Sequence, residues 1–239
     1  MELSGSPPRL RHPALLPLLT CAVIVVALAS MSLGPISLGL GRMVAALGGT
    51  GEPVVRAILL ELRLPRTLIG LMTGAMLGLS GAVLQGYLRN PLAEPSVLGA
   101  SNASALGAVI ALYFGISQWH AAMLPLLAIA SALGAMVLLF ALAGRSESPL
   151  GLILAGIAVS TLAGAGISLA LNLSPNPFAA MEIMSWLLGS IENRSMEHVW
   201  IALPCVVVGA ALLLADPLAL DALSVSYTHL RAHETEADL

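Results

Sequence analysis

Hydrophobic and polar positions along the chain fall into long blocks, rather than into the alternation of a strand or the one-sided stripe of a soluble helix. Residues 13–41 contain no Asp, Glu, Lys or Arg, and neither do residues 67–88. Residues 95–144 form an uncharged stretch of 50 in which His120 is the sole histidine. That length fits two spans, with a turn predicted at "FGISQWH" (114–120), where Gly115, Ser117, Gln118 and an interface-type Trp119 fall together. Residues 148–181 read as a fifth span followed by irregular chain, and residues 198–215 as a sixth. At about 1.5 Å per residue, the 22 residues of 67–88 reach roughly 33 Å, enough to cross a hydrocarbon core of about 30 Å. The pattern predicts an all-α, polytopic transmembrane helix bundle with about six spans.

Composition sharpens this. Hydrophobic residues make up 58% of the chain and charged residues 10%, where a soluble domain carries roughly 25% charged. Membrane lipid is therefore the expected surrounding. Every cation is an arginine and no basic face forms, which excludes nucleic acid as a partner. Cys21 and Cys205 sit in apolar runs and read as small hydrophobes. Arg9 and Arg11 before an apolar core, with "ALAS" ending at Ser30, also fit a cleaved signal peptide, but the run is longer than such a core usually is. With the amino terminus inside, Arg9, Arg11, Arg89 and Arg145 lie inside, while Arg42, Arg56, Arg63, Arg66 and Arg194 lie outside. The positive-inside rule does not decide the orientation, and the outer arginines suit an acidic docking partner.

Gly70, Gly74 and Gly78 recur every four residues and share one helix face, a packing seam or the wall of a path for a bulky solute. Gly151, Gly156, Gly164 and Gly166 repeat the theme in the fifth span. No Asp, Glu, Lys or Arg lies in the middle of a span, which disfavours ion coupling, since an ion-coupled carrier normally keeps such a group. No GxxxxGK[ST] loop is present, so any ATP-driven step draws its energy from another subunit. His12, His120, His198, His229 and His233 lack metal spacing, and no catalytic pair or cofactor motif appears, so neither metal, cofactor nor enzyme activity is expected. The triplet Asn102-Ala-Ser lies in apolar chain and reads as a chance glycosylation match.

The stretch "RLPRTLIGLMTGAMLGLSGAVLQGYLRNPLAEPSVLGASNASALGAV" resembles the signature region of the FecCD or BtuC-like permease subunits of bacterial ABC importers for iron-siderophores, haem and vitamin B12. RLPR, SGxxxQ, NPLAEP and LGxSN occur in order and at family spacing; "LILAGIAVS" (152–160) and "MSWLLGSI" (184–191) continue the likeness. The resemblance implies a ten-span fold, of which about six are present, in the bacterial inner membrane. It also implies cytoplasmic ABC ATPase subunits, a periplasmic or lipid-anchored substrate-binding protein and a second permease subunit. By the same resemblance Arg63 and Arg66 would dock the binding protein, and Asn90, Leu92, Ser148 and Pro149 would form the cytoplasmic gate. Read from the residues alone, Asn90 is a helix cap. Gly70, Gly74, Gly78, Gln85 and Asn102 would line the path or pack helices. Pro91 and Pro95 predict a backbone break between the second and third spans. A secondary carrier or channel for a small solute is the alternative.

The resemblance covers residues 15–223, within a partial transmembrane permease domain at residues 1–223. Residues 224–239 form a polar tail without a recognisable counterpart, reading as foreign coding sequence or a short native tail. The family's ATPase-docking surface begins where the likeness ends, so the chain as given is expected to be poorly stable and unable to drive transport.

Overall fold

The computed structural model describes residues 14–34, 36–88, 90–120, 122–144, 149–192 and 194–215. Ser148, Arg89, Arg145 and the tail 224–239 lie outside them. Among the described residues the secondary structure is entirely helical. In chain order the α-helices are α1 (Leu15–Ser32), α2 (Leu40–Leu47), α3 (Pro53–Ala57), α4 (Leu64–Leu88), α5 (Ala100–Tyr113), α6 (Met123–Ala143), α7 (Pro149–Asn172), α8 (Pro177–Leu187) and α9 (Met196–Leu214).

Five helical stretches are long and apolar enough to cross a membrane: α1, the run Pro53–Leu88, α6, α7 and α9. The expected third span differs. It is α5, of 14 residues, preceded by a 3-10 turn at Pro95–Leu98. Pro95 and the left-handed Gly99 (φ 77°) break the chain before it, as the prolines predicted. The turn predicted at residues 114–120 is present: Gly115 adopts φ 66° and Ile116–Gln118 forms a 3-10 turn. The chain after the fifth span is less irregular than its sequence suggests, because Asn176 caps α8 by accepting the Ala179 N–H at 2.9 Å.

The described chain divides into two units. The first comprises the described residues up to Leu71 together with Glu192–Val199. Its core is Leu38, Met43, Ala46, Val55 and Leu59, gathered from the chain before α2, from α2 and α3, and from the segment after α3. Between α3 and α4 the helix widens into a π-helical segment, Ile58–Arg63. No residue of α1 is fully buried. It attaches through its carboxyl end, by polar bonds and by Met31, half-buried against this core.

The second unit comprises 72–191 with the described residues from Trp200. Here α5, α6 and α7 pack on Ala103, Ala135, Leu139, Ala155, Val159 and Ala163. Small side chains let the backbones approach, the means by which helices associate in lipid without a hydrophobic drive between them. Gly107 lies against Leu127 and Ser131 of α6, and the Ser131 hydroxyl donates to Ala103 O at 2.6 Å. Tyr113 donates to Leu173 O at 3.0 Å and ties the far ends of α5 and α7.

The level of α5 against α7 explains its length. A Cβ on Gly99 would lie 2.9 Å from Gly156 O and 3.1 Å from Ser160 N, and one on Gly156 would run into Val97 O. Gly156 and Ser160 lie 7 and 11 residues beyond Pro149, about 10 to 17 Å along a helix of roughly 36 Å. Helix α5 therefore starts near the middle of α7, and residues 90–99 are the re-entrant chain that reaches it.

Candidate functional site

Two places gather the residues singled out by sequence. The first lies at the amino end of α4. Arg63, the last residue of the π-helical segment, is only 8% exposed. Its Nη1 donates to Met31 O and Ser32 O, each at 2.8 Å, and its Nη2 donates to Ile36 O. These carbonyls lie at and just beyond the end of α1, where backbone acceptors lack intrahelical donors and the helix dipole favours a cation. One turn on, Thr67 and Ser30 share a hydrogen bond of 3.0 Å between their hydroxyls. The guanidinium fits because residue 34 is glycine: a Cβ there would lie 2.7 Å from Nη2.

Arg66 is exposed beside it. Ser30, Gly34, Leu62, Arg63, Arg66 and Glu192 line a cavity of about 250 Å³. Arg63 and Arg66 thus come together, but in different states: the first has its donors turned onto its own backbone, and the second presents its charge outward. Arg42 pairs with Glu52 at 3.4 Å on the exposed α2–α3 connection, a contact worth little in water.

The second place is the turn after α4. Asn90 Oδ1 accepts the Leu92 N–H at 2.9 Å, and Asn90 O accepts the Ala93 N–H at 3.1 Å. The Asn90 N–H donates to Gln85 O at 3.1 Å, and the Gln85 side-chain amide donates to Ala93 O at 3.3 Å. Asn90 therefore does more than cap a helix; it closes a turn whose other wall is Gln85. Ala93 is buried with Leu84 and Leu88, and Leu152 and Ile153 of α7 pack against them. The turn and the first turns of α7, which Pro149 opens, are one packed body. Leu92 stands out from it, 86% exposed.

The glycine stripe of α4 contributes to neither place. Cβ atoms at Gly74 and Gly78 would meet nothing within 4 Å, so among the described residues this face has no packing partner. The close approaches belong to Gly99, Gly107 and Gly156 instead. Val97 and Leu98 press against Gly156, whereas Gly164 is open. Sequence reasoning missed the clamp role of Arg63, and Gly34 ahead of it was the available signal. Among the described residues no cluster of His, Cys, Asp or Glu could hold a metal ion.

Comparison with known proteins accords with this geometry. The FecCD transport family matches residues 22–232, beyond Leu223 where the resemblance had been expected to end. The chain is 37% identical to an uncharacterised ABC transporter permease protein, YvrB, of Bacillus subtilis over 176 residues, 70% of this chain and 48% of that protein. It is 33% identical to the iron(3+)-hydroxamate import permease FhuG of Bacillus subtilis, covering 78% of this chain and 57% of FhuG. With the molybdate import permease MolB of Haemophilus influenzae it shares 34% identity, over 78% of this chain and 56% of MolB. A solved structure described as an inward-facing, metal-chelate type ABC transporter superposes with a TM-score of 0.78 at 31% identity, covering 93% of this chain and 68% of that one. The chain spans about half the length of the curated relatives it matches.

Proposed function

Because the chain belongs to the FecCD transport family, we propose that it forms part of the permease subunit of an ATP-driven importer in the bacterial inner membrane. The observation that carries this reading is the turn at Asn90–Ala93. Its backbone is held by Gln85 and Asn90, it packs on Leu152 and Ile153, and it presents one exposed leucine. A gate needs a rigid frame and a projecting apolar plug, and Leu92 on this turn supplies both. Asn90 and Pro149 belong to the frame, and Ser148 is assigned to the gate by the family resemblance alone. ATP is hydrolysed on separate cytoplasmic subunits, and a second permease supplies the other half of the path.

At the outer face Arg66 takes the docking contact with an acidic group of a substrate-binding protein, while Arg63 holds the rim that presents it. Arginine suits docking because its charge is permanent and its fork can grip a carboxylate with two bonds. The cargo is an iron-siderophore, haem or cobalamin-type chelate. Among the relatives the named cargoes are iron(3+)-hydroxamate and molybdate.

Leu92→Cys, in a chain whose Cys21 and Cys205 are replaced by serine, tests the gate. Coexpressed with its partner permease carrying cysteine at the matching position, it should form an intersubunit disulfide under mild oxidation in membranes. Absence of that disulfide, with Leu150→Cys behaving the same way, rejects Leu92 as a gate.

A further inference from the structure

The cavity beside Arg63, within the first unit, carries more chemistry than a clamp needs. Arg63 turns its guanidinium onto three carbonyls at the end of α1, where the helix dipole offsets its charge. Two further charged groups, Arg66 and Glu192, line the same cavity. Arg66 is exposed and has no hydrogen bond or ion pair among the described residues. Glu192 makes a contact of its own, but a carboxylate has roughly four lone-pair sites and can accept from a second donor. Leu33, Ile36, Ile58 and Leu62 supply the apolar lining, and all but Ile58 are exposed.

Depth, size and charge narrow the occupant. Helix α1 is apolar enough to span a membrane and ends at Ser32, so Leu33 and Ile36 stand where hydrocarbon gives way to headgroups. At about 250 Å³ the cavity is smaller than the roughly 300 to 1,000 Å³ that enclose a drug-sized molecule, so it takes a headgroup rather than a bulky chelate. A guanidinium fork matches the oxygens of a phosphate. A carboxylate in the same lining opposes a purely anionic ligand and suits one that also carries an N–H cation.

We propose that this cavity binds the phosphoethanolamine headgroup of a membrane lipid. Arg66 holds the phosphodiester, Glu192 accepts from the ammonium, and the acyl chains leave along Leu33, Ile36 and Leu62. Those exposed apolar side chains, which a soluble ion does not need, commit the site to a lipid. A lipid seated there shields the bonds between Arg63 and the end of α1 from water, and so steadies a helix that has no fully buried residue. The inference goes beyond the transport reading and is measured with no binding protein present. Arg66 serves the headgroup while no acidic protein group is docked on it.

The test uses the full chain in detergent micelles, with phosphatidylethanolamine, phosphatidylcholine and phosphatidylglycerol of identical acyl chains added in turn. Native mass spectrometry reads the bound lipid. Phosphatidylethanolamine should be retained about tenfold more than either other lipid, because choline lacks the N–H that Glu192 accepts and glycerol lacks the cation. Arg66→Gln should lower that retention about tenfold, the loss of one charge-assisted bond. Glu192→Gln should leave phosphatidylethanolamine and phosphatidylcholine equally retained. Leu33→Trp, which adds bulk at the lining without altering charge, should lower retention as Arg66→Gln does, and Arg42→Gln, outside the cavity, should leave it unchanged. Glycerophosphoethanolamine, which has no acyl chains, should not displace the lipid at equal concentration. Equal retention of the three lipids by the parent chain, or retention unmoved by both Arg66→Gln and Leu33→Trp, overturns the site. Displacement by glycerophosphoethanolamine overturns the lipid as its occupant. The parent's selectivity keeps the test decisive if a variant fails to fold.

Discussion

Replacing Arg63 with alanine should detach the end of α1. Arg63 is buried and donates to three backbone carbonyls, two of them at 2.8 Å. A hydrogen bond from a charged donor contributes about 1.5 to 3 kcal/mol. Three such bonds add up to roughly 4.5 to 9 kcal/mol before allowing for water at the freed carbonyls and for their sharing one side chain. A loss of about 3 to 5 kcal/mol is expected once those two allowances are made. Apolar burial offsets little of it, because α1 has no fully buried residue and meets the core through the half-buried Met31. Arg63→Lys should recover less than half, since an ammonium lacks the planar fork that reaches Met31, Ser32 and Ile36 together. Gly34→Ala, which places a Cβ 2.7 Å from Nη2, should cost about 1 to 3 kcal/mol with Arg63 intact. Unfolding in mixed micelles, followed by thiol accessibility at a cysteine placed at Ser32, reads the local loss. The same variants separate holding from docking. Arg66→Glu should weaken binding-protein affinity and be rescued by reversing the partner's carboxylate, whereas Arg63→Glu should not be rescued. An Arg63→Ala variant within 1 kcal/mol of the parent, or charge-reversal rescue at Arg63, refutes the clamp.

Two further outcomes follow from the packing. Gly156→Ala should destabilise the second unit by about 2 to 3 kcal/mol, because its Cβ enters Val97 O, whereas Gly78→Ala should be neutral in this chain since nothing lies within 4 Å; equal unfolding midpoints would refute the assignment of the seam to Gly156. For the topology, single cysteines at positions 42, 52 and 56 should react with an impermeant maleimide from outside and Leu92→Cys only from inside, and the reverse pattern would invert the orientation.

The blocks of uncharged residues made the helical bundle legible, because a span in lipid needs only length and absence of charge. Composition could not reveal how deep a segment starts, and α5 shows why. Its 14 residues lie in an uncharged run that looks long enough for a span, but the residues before it form re-entrant chain held by Gly99 and Gly156. The glycines of α4 were equally visible and pointed at a seam that the described residues leave open, since periodicity specifies a face and not what covers it. Asn90 and Gln85 were legible as a pair only through their family motif, as their bonds close through backbone atoms that carry no sequence signal. Arg63 was recognised as important, but its direction was not: one residue type serves equally to reach outward or to bind carbonyls, and only Gly34, far away in sequence, distinguishes the two.

The late start of α5 bears on how the chain is made. A segment of 14 helical residues, about 21 Å long, falls short of the roughly 30 Å core, and the chain that enters it at Gly99 sits level with Gly156 of α7. The segment closes several of its own backbone bonds, such as Val97 N–H to Glu94 O and Gly99 N–H to Ser96 O, but the α7 surface it packs against is absent when it leaves the ribosome. Its partners, Gly156 and Ser160, are synthesised more than fifty residues later. Biogenesis must therefore hold α5 unfinished until α7 has inserted, and a ribosome stalled between the two would expose a half-buried polar segment to the quality-control proteases of the membrane.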